Sequence, residues 1–261
     1  MLKSLWNYRG FINAAIQRDF QSRYQNSLLG ILWAILGPLA MILVYTLVFS
    51  QVMKAKLPGV EDDFSYGIYL CSGIIVWGLF SEITTKSLNV FIENANLIKK
   101  SKFPKICLPL IVVFNASINF IIILVLFTSV LLLSGRFPGW VYWGILPLFV
   151  IQVIFSMGLG IILGILNVFF RDVGHFFAII LQFWFWLTPI VYISNVFQGP
   201  VKYLLDINPL TALLEAYHDV LVFGKWPNWQ SLLLVTLCGI AFNLIGLKLY
   251  RRVRGDMVDE L

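Results

Sequence analysis

The chain has 261 residues, of which 59% are hydrophobic and only 12% are charged, and its mean hydropathy is +0.86. A soluble domain carries about 25% charged residues, so this chain has too little polar surface for a soluble protein of its size. The composition excludes a soluble enzyme, a disordered chain and a secreted disulfide scaffold, and it predicts an all-α polytopic membrane protein. Cys71, Cys107 and Cys238 lie in apolar runs without a nearby Cys or His, so neither a disulfide framework nor a metal site is predicted.

The N-terminal residues 1–27 are punctuated by polar side chains and do not resemble a cleavable signal peptide. Between residues 3 and 24, apolar side chains such as Leu5, Ile12 and Phe20 recur at helical spacing. This pattern predicts an amphipathic helix that contacts membrane lipids in the cytosolic headgroup layer.

Six apolar stretches are long enough to cross a membrane, since a transmembrane helix needs about 20 mainly apolar residues. The predicted spans are 28–53, 67–85, 106–134, 141–168, 176–196 and 230–249, within a transmembrane domain at 28–249 that precedes a tail at 250–261. Glu82 falls close to the predicted cytosolic end of the second span. Because the interiors of the other spans carry no ionisable residue, an ion-coupled transport mechanism is disfavoured.

The positions of Lys and Arg indicate the orientation of the chain. Most of the 19 basic residues precede the first span, lie between the second and third spans, or follow the last span. The basic residues on the opposite side are Lys54, Lys56, Arg136, Lys202 and Lys225. This distribution predicts that both termini are cytosolic, and it makes the basic excess a topology signal. No nucleic-acid partner is therefore expected.

The sequence also lacks the residues that would make it an enzyme. No phosphate-binding GxxxxGK[ST] loop is present, and no serine lies in a nucleophile-elbow context. His175 and His218 fall on opposite sides of the membrane in this topology, so they cannot share a metal or a proton relay. We therefore predict no catalytic residue, no metal and no cofactor in this chain, and a source of transport energy outside it.

Three short segments permit either an ordinary or a functional interpretation. Residues 23–33 join the N-terminal helix to the first span and are either a simple helix entry or a specific contact. The basic segment 92–105 is either a solvated positive-inside loop or a docking element. In the turn that contains Arg171 and Asp172, the two side chains could simply form an ion pair with each other, or each could extend separately to the membrane–water interface.

The fifth predicted span, 176–196, carries aromatic residues nearly all round the helix. Each ring is explained equally well by packing and lipid contact or by stacking on a sugar, since pyranose rings present apolar faces to aromatic rings.

The segment 198–228, which follows the fifth span, is neither a full span nor a plain loop. Its apolar residues have helical spacing on both sides of Asn208 and Pro209, which predicts two short periplasmic re-entrant helices. Because irregular backbone at membrane depth is buried in protein or lines a cavity, this segment is predicted to form a mouth or gate.

Five motifs occur in an order that we recognise. They are RYQNSLLGILWAILGP at 23–38, NANLIKKSKFPKICLPL at 94–110, LNVFFRDV at 166–173, WLTPIVY at 186–192 and INPL at 207–210. The chain resembles the transmembrane permease subunit of ABC-2 type polysaccharide exporters, the family that includes O-antigen, capsule and teichoic-acid permeases. LNVFFRDV and TPIVY are more similar to the O-antigen and teichoic-acid exporters than to the capsule permeases.

The resemblance implies the type V exporter fold and a homodimer of this subunit with two copies of a separate ABC ATPase, which binds ATP and Mg. The implied activity is export of a lipid-linked polysaccharide across the bacterial inner membrane. The first and fifth spans would line the path, with aromatic side chains from Trp33, Tyr45, Phe49, Phe183, Trp186 and Tyr192.

The same resemblance implies roles for four other groups of residues. Coupling to the ATPase would fall on Lys99, Lys100, Lys102, Phe103, Pro104 and Lys105. The junction of the interfacial helix with the first span contains Arg23, Tyr24, Leu29 and Gly30. The periplasmic gate would contain Asn208 and Pro209, and the cytosolic turn Arg171 and Asp172.

Two other functions remain compatible with the sequence. An ABC-2 permease for a small hydrophobic compound or lipid would need a closed apolar cavity, whereas a polymer needs a continuous hydrated channel lined by aromatic rings. A channel that works without an ATPase would conduct without a partner.

Overall fold

The computed structural model describes residue 10 and residues 14–18, 32–48, 65–100, 105–194 and 198–260. These residues form helices and connecting turns, with no β-strand among them. In chain order the helices are α1 (Trp33–Leu47), α2 (Ser65–Glu93), α3 (Ala95–Lys100), α4 (Cys107–Leu133), a 3-10 helix (Gly139–Gly144), α5 (Ile145–Phe169), α6 (Asp172–Trp186), α7 (Pro200–Ile207), α8 (Pro209–Leu221), α9 (Leu232–Val253) and α10 (Asp256–Glu260).

Four helical segments of the described chain are long and apolar enough to cross a membrane. They are Ser65–Glu93, Cys107–Leu133, Gly139–Phe169 and Leu232–Val253. These segments coincide with the second, third, fourth and sixth predicted spans. The all-helical, membrane-embedded architecture predicted from composition is therefore confirmed, and six complete spans remain a prediction.

The helices at the first and fifth predicted spans are shorter. The described part of α1 has 15 residues, and α6 also has 15, which corresponds to about 22 Å at 1.5 Å per residue. A bilayer core is about 30 Å thick. Helix α6 ends at Trp186, and a turn at 187–190 that contains Thr188 and Pro189 follows it.

Helix α2 is longer than the second predicted span, because the helix continues as far as Glu93 through the more polar residues that follow the span. Glu82 therefore lies well inside the helix rather than at its end. Its carboxylate forms an ion pair with Lys86 and accepts a hydrogen bond from Asn119 Nδ2 of α4 at 2.9 Å. These partners neutralise the charge and connect α2 to α4.

Helix α5 packs extensively against both α2 and α9, and glycines permit the close approach. A Cβ atom on Gly164 would collide with the Ser87 carbonyl oxygen, and one on Gly158 would lie 2.7 Å from the Asn243 backbone nitrogen. Small residues serve this purpose in membrane helices, where association depends on close van der Waals packing.

Side-chain amides at one buried and one half-buried position connect the same helices. Gln152 Nε2 of α5 donates to the Val76 carbonyl of α2 at 2.7 Å, and Asn243 Nδ2 of α9 donates to the Ile154 carbonyl at 2.7 Å. Such bonds stabilise helix contacts in an environment without water.

The segment 198–228 contains the two short helices that the sequence predicts, α7 and α8, which meet at Asn208. Helix α8 packs against α2, α9 and α5, and its residues Leu213 and Tyr217 are completely buried. The depth of these helices in the membrane remains a prediction.

We expect Gly158→Ala to destabilise the protein, because the added methyl group would press against the backbone of α9. Overpacking of this kind costs about 1–3 kcal/mol. Gly78→Ala is the matched control, since a Cβ there meets nothing within 4 Å. The apparent melting temperature of the detergent-solubilised protein should fall for Gly158→Ala only. Equal melting temperatures for the two variants would contradict the close α5–α9 contact.

Candidate functional site

One side of α6 presents large apolar residues that nothing in the described chain covers. Phe176, Ile179, Phe183 and Trp186 follow one another at intervals of three or four residues, so they lie on the same helix face. Their exposed fractions are 66%, 55%, 66% and 58%. Two of the predicted path residues, Phe183 and Trp186, belong to this face, which we call the aromatic face.

The opposite side of α6 holds the helix in the bundle. Trp184 packs edge-on against Phe80 of α2, with ring centroids 5.3 Å apart, and Phe185 packs edge-on against Trp77 of α2 at 5.5 Å. The aromatic residues of the fifth span therefore divide into two sets. Trp184 and Phe185 pack against α2 and anchor the helix, whereas the rings of the aromatic face are exposed.

Helix α1 presents a second apolar face that the described residues leave uncovered. Trp33 is 52% exposed, and Leu36, Leu43 and Leu47 are also exposed. Helix α1 packs against α4 and α2, whereas α6 packs against α5 and α2. Of the other predicted path residues on this span, Tyr45 is half-buried against the core, and Phe49 lies outside the described residues.

Tyr192, another predicted path residue, lies in the turn region after α6. It is half-buried, and its hydroxyl contacts the backbone. Its hydroxyl donates to the Trp186 carbonyl at 2.8 Å, and its own carbonyl accepts a hydrogen bond from the Tyr69 hydroxyl at 3.0 Å. Tyr192 therefore satisfies a carbonyl at the end of α6 and attaches the following turn to α2.

Asn208 connects α6 to the two short helices. Its Oδ1 accepts hydrogen bonds from Leu210 N at 3.1 Å and from Trp184 Nε1 at 2.9 Å. Its Nδ2 donates to the Leu187 carbonyl at 3.1 Å and to Thr188 Oγ1 at 3.0 Å. The side chain thus caps α8 and fixes the C-terminal end of α6 at the same time.

Pro209 occupies the first turn of α8, where the absence of a backbone N–H removes no helical hydrogen bond. Asn208 and Pro209, which were predicted as gate residues, therefore set the geometry between α7 and α8.

Sequence reasoning missed the contact between His218 and Tyr69. The His218 ring stacks on the Tyr69 ring with centroids 3.7 Å apart, and His218 Nε2 lies 3.1 Å from the Tyr69 carbonyl. The signal was present, because Leu214, Tyr217 and His218 share one helical face, and all three are buried. Burial lowers the pKa of His218 to about 3, so the ring is neutral in the folded protein.

Glu215 on α8 was also missed. Ser194 Oγ donates to its carboxylate at 2.5 Å. Burial raises the pKa of Glu215, and the nearby carboxylates of Asp206 and Asp219 raise it further, whereas the Ser194 hydrogen bond lowers it. The carboxylate connects α8 to the turn that follows α6.

The predicted coupling segment is described only in part. Helix α3 packs against α2 and α10, and Lys99 on it is exposed. Lys105 Nζ donates to the Arg254 carbonyl at 3.4 Å, which connects this segment to the turn after α9. The backbone of Lys100 is helical, and Lys102, Phe103 and Pro104 lie outside the described residues. The residues predicted at the junction of the interfacial helix with the first span also lie outside the described residues; they are Arg23, Tyr24, Leu29 and Gly30.

The predicted turn between the fourth and fifth spans is fixed by Asn167, not by an ion pair. No ion pair joins Arg171 to Asp172, and both side chains are exposed. Asn167 at the end of α5 accepts a hydrogen bond from Gly174 N at 3.1 Å and donates to the Leu88 carbonyl of α2 at 3.1 Å. Asp172 lies in the first turn of α6, where a negative charge is favourable.

Comparison with known proteins agrees with this architecture. Residues 11–222 match the ABC-2 type transporter family. The O-antigen export system permease protein RfbA of Klebsiella pneumoniae is 31% identical over 246 residues, which are 94% of this chain and 92% of that protein. A protein of the same name from Myxococcus xanthus is 27% identical and covers 100% of this chain and 99% of its own length.

A more distant relative is the polysialic acid transport protein KpsM of Escherichia coli, which is 23% identical and covers 92% of each chain. The apolar helical bundle defines a membrane-embedded protein. The chain belongs to the ABC-2 type transporter family, and the resemblance seen in the five motifs is confirmed.

We expect Asn208→Ala to lower the melting temperature, because it removes the cap of α8, worth about 1 kcal/mol, and leaves the Trp184 N–H without its acceptor. Trp184→Phe removes that donor and part of the ring that packs against Phe80, but it should have a smaller effect because the cap of α8 remains. The two effects should be less than additive in the double variant, since they share one hydrogen bond. Strictly additive losses would show that Asn208 and Trp184 act independently.

We expect His218 to make stability pH-dependent. Because the folded pKa lies below the usual value near 6.5, the unfolded state binds the additional proton. The free energy of unfolding should therefore fall by about 1.4 kcal/mol per pH unit as the pH drops below 6.5. His218→Gln should lack this contribution, whereas His175→Gln, which changes an exposed ring, should keep it. Melting temperatures measured from pH 7.5 to 5 provide the test, and parallel curves for wild type and His218→Gln would refute it.

Proposed function

We propose that this chain is the membrane-spanning permease of an ATP-driven exporter, and that it moves a lipid-linked polysaccharide of the O-antigen type across the bacterial inner membrane. Family membership supports the transporter class. The names of relatives that match over 92% or more of this chain support the substrate class, because they describe export of O-antigen and transport of polysialic acid.

The observation that carries the proposal is the aromatic face of α6. Phe176, Phe183 and Trp186 are held outward by the packing of Trp184 and Phe185 on α2. Rings in this arrangement suit a moving polymer, since each stacking contact is worth on the order of 1 kcal/mol and traps no single sugar. Aromatic contact also tolerates different sugars better than a fixed hydrogen-bonding pocket does.

A homodimer would cover the remaining apolar faces. Among the described residues of one chain, α1 and α6 each have a large apolar face that nothing covers, and a second copy can place these faces around a common path. Two copies of an ABC ATPase would complete the exporter and bind ATP and Mg. In this assembly six spans cross the membrane, both termini are cytosolic, and α7 and α8 dip into the outer leaflet as a gate.

The proposed mechanism begins in the partner. ATP binding closes the ATPase dimer, and the movement reaches this chain through the segment 92–105 and the N-terminal interfacial helix. The α1 and α6 faces of the two protomers then separate, the lipid-linked glycan enters, and the polymer advances past the aromatic rings with repeated hydrolysis. Arg23, Tyr24, Leu29 and Gly30 would transmit the motion from the interfacial helix to the first span.

We expect Phe183→Ala combined with Trp186→Ala to reduce surface polysaccharide strongly, because both stacking surfaces are lost. Trp186→Phe should retain most export. Leu237→Ala on α9 is the matched control, since Leu237 is 64% exposed on a helix outside the proposed path. A strain without its own permease gene would receive each variant, and surface polysaccharide would be measured by immunoblot.

Two measurements decide the result. Membrane abundance and co-purification of the ATPase must be unchanged in the alanine variant, so that a loss of export cannot be attributed to misfolding. Normal export by the double alanine variant would contradict the aromatic path, and export without any ATPase subunit would contradict the ATP-driven mechanism.

A further inference from the structure

The last turn of α9 and helix α10, residues 250–260, fold back onto the bundle, and we call them the C-terminal tail. After α9 ends at Val253, a turn at 254–255 leads into α10, which packs against α5 and α3. The ends of a chain are usually poorly ordered unless other elements hold them. Met257 of α10 is nevertheless completely buried, so the C-terminal tail is a packed part of the fold.

Met257 lies in a hydrophobic cluster that also contains residues of the predicted coupling region. These are Ile98 of α3, which is 3% exposed, and Ile106 just before α4, which is 4% exposed. Apolar side chains of α2, α4 and α5 complete the cluster. The C-terminal tail therefore supplies part of the apolar environment that anchors α3.

Polar contacts attach the C-terminal tail to the other end of the coupling segment 92–105. Lys105 Nζ donates to the Arg254 carbonyl at 3.4 Å. The Tyr250 hydroxyl accepts hydrogen bonds from the backbone N–H groups of Lys105 and Ile106, and Tyr250 itself is buried. The C-terminal tail thus contacts the coupling segment at α3 and again at Lys105.

Helix α3 needs such support because it has only six residues, and a helix of this length is not stable by itself in water. A single residue, Asn94, separates α3 from the end of α2. A change of backbone conformation at Asn94 would therefore change the direction of α3. Helix α10 contacts α3 beyond this residue, so it restricts such a change.

We propose that the C-terminal tail fixes the orientation in which the coupling segment meets the ATPase, with Met257 and Tyr250 as positioning residues. This inference rests on the proposed function, in which the segment 92–105 docks on an ABC ATPase. A segment that is already held in one orientation loses less conformational freedom on docking, and it binds more tightly for that reason. Because α10 packs against α5 and follows α9, a displacement of the segment would also reach these two helices.

The test measures how tightly the full-length chain in nanodiscs binds the purified ABC ATPase subunit of the same exporter. Met257→Ala removes most of a buried side chain, whereas Met257→Leu keeps a similar volume. Tyr250→Phe keeps the ring and removes only the hydroxyl. Glu260→Ala is the matched control, because Glu260 is an exposed residue of the same helix. Hydrogen exchange of the backbone amides in the segment 92–105, followed by mass spectrometry, reports local opening directly.

We expect Met257→Ala to raise the Kd for the ATPase by at least about fivefold and to speed hydrogen exchange in the segment, because the coupling segment must then be ordered on docking. Tyr250→Phe should change both quantities in the same direction but less. Met257→Leu and Glu260→Ala should stay within about twofold of wild type, since neither leaves a large cavity. Only the monodisperse fraction of each variant is measured, so a smaller yield of folded protein does not alter the Kd.

Two results would overturn the inference. One is an unchanged Kd for both Met257→Ala and Tyr250→Phe, and the other is faster hydrogen exchange without a change in Kd, which would make the C-terminal tail purely structural. Surface polysaccharide in the complemented strain is measured in parallel and should fall as the Kd rises. A wild-type chain that does not bind the ATPase would contradict the proposed function itself, whereas wild-type binding that is insensitive to these substitutions would contradict only this inference.

Discussion

The absence of water from the bilayer core is the constraint on which this structure depends. A chain with 12% charged residues has few polar side chains to place there, and a polar group left without a partner in that environment is costly. The structure uses them to connect helices: Gln152 donates to a carbonyl of α2, Asn243 to a carbonyl of α5, and Asn119 to the Glu82 carboxylate. Glycines on α5 then allow the backbones to approach closely. The core of the bundle is therefore specified by a few amides and small residues rather than by hydrophobicity, which the lipid shares.

Helix α6 is held in place by contacts of the same kind. Asparagines from other elements hold both of its ends: Asn167 accepts from the Gly174 N–H near the start, and Asn208 donates to the Leu187 carbonyl just after the end. Trp184 and Phe185 attach one side to α2. Because the helix is fixed at two ends and along one face, its other face can remain uncovered without loss of order. An exposed aromatic face on a rigidly held helix is a suitable surface for a passing polymer.

The sequence predicted the all-helical, membrane-embedded architecture and four of the long apolar helices, because span length follows from the thickness of the bilayer; the six-span count and the orientation stay predictions. It singled out Phe183, Trp186, Asn208 and Pro209, since aromatic clusters and an Asn-Pro pair are visible in the sequence, and the roles of these residues in a path and a gate stay predictions. Helical spacing alone places Trp184 and Trp186 on opposite sides of α6, but the sequence could not show which of the two rings packs into the bundle, because this depends on where α2 lies. For the same reason it missed the stacking of His218 on Tyr69, whose residues are 149 positions apart, and it placed Glu82 near a helix end that in fact lies further along the chain.

The two asparagine contacts attach α6 to its neighbours at both ends and suit the proposed mechanism. Asn167 lies where α2, α5 and α6 meet, near the basic segments predicted to face the ATPase, and Asn208 lies where α6 meets α7 and α8. In the proposed mechanism, a displacement of α2 or α5 at the first contact would move the start of α6, and a rigid helix would carry the displacement to Asn208. There the Asn208 side chain forms hydrogen bonds both to the turn after α6 and to the first turn of α8. A movement of the end of α6 would therefore either move α7 and α8 with it or break these hydrogen bonds. In this geometry α6 is both a wall of the proposed path and the element that connects its two ends.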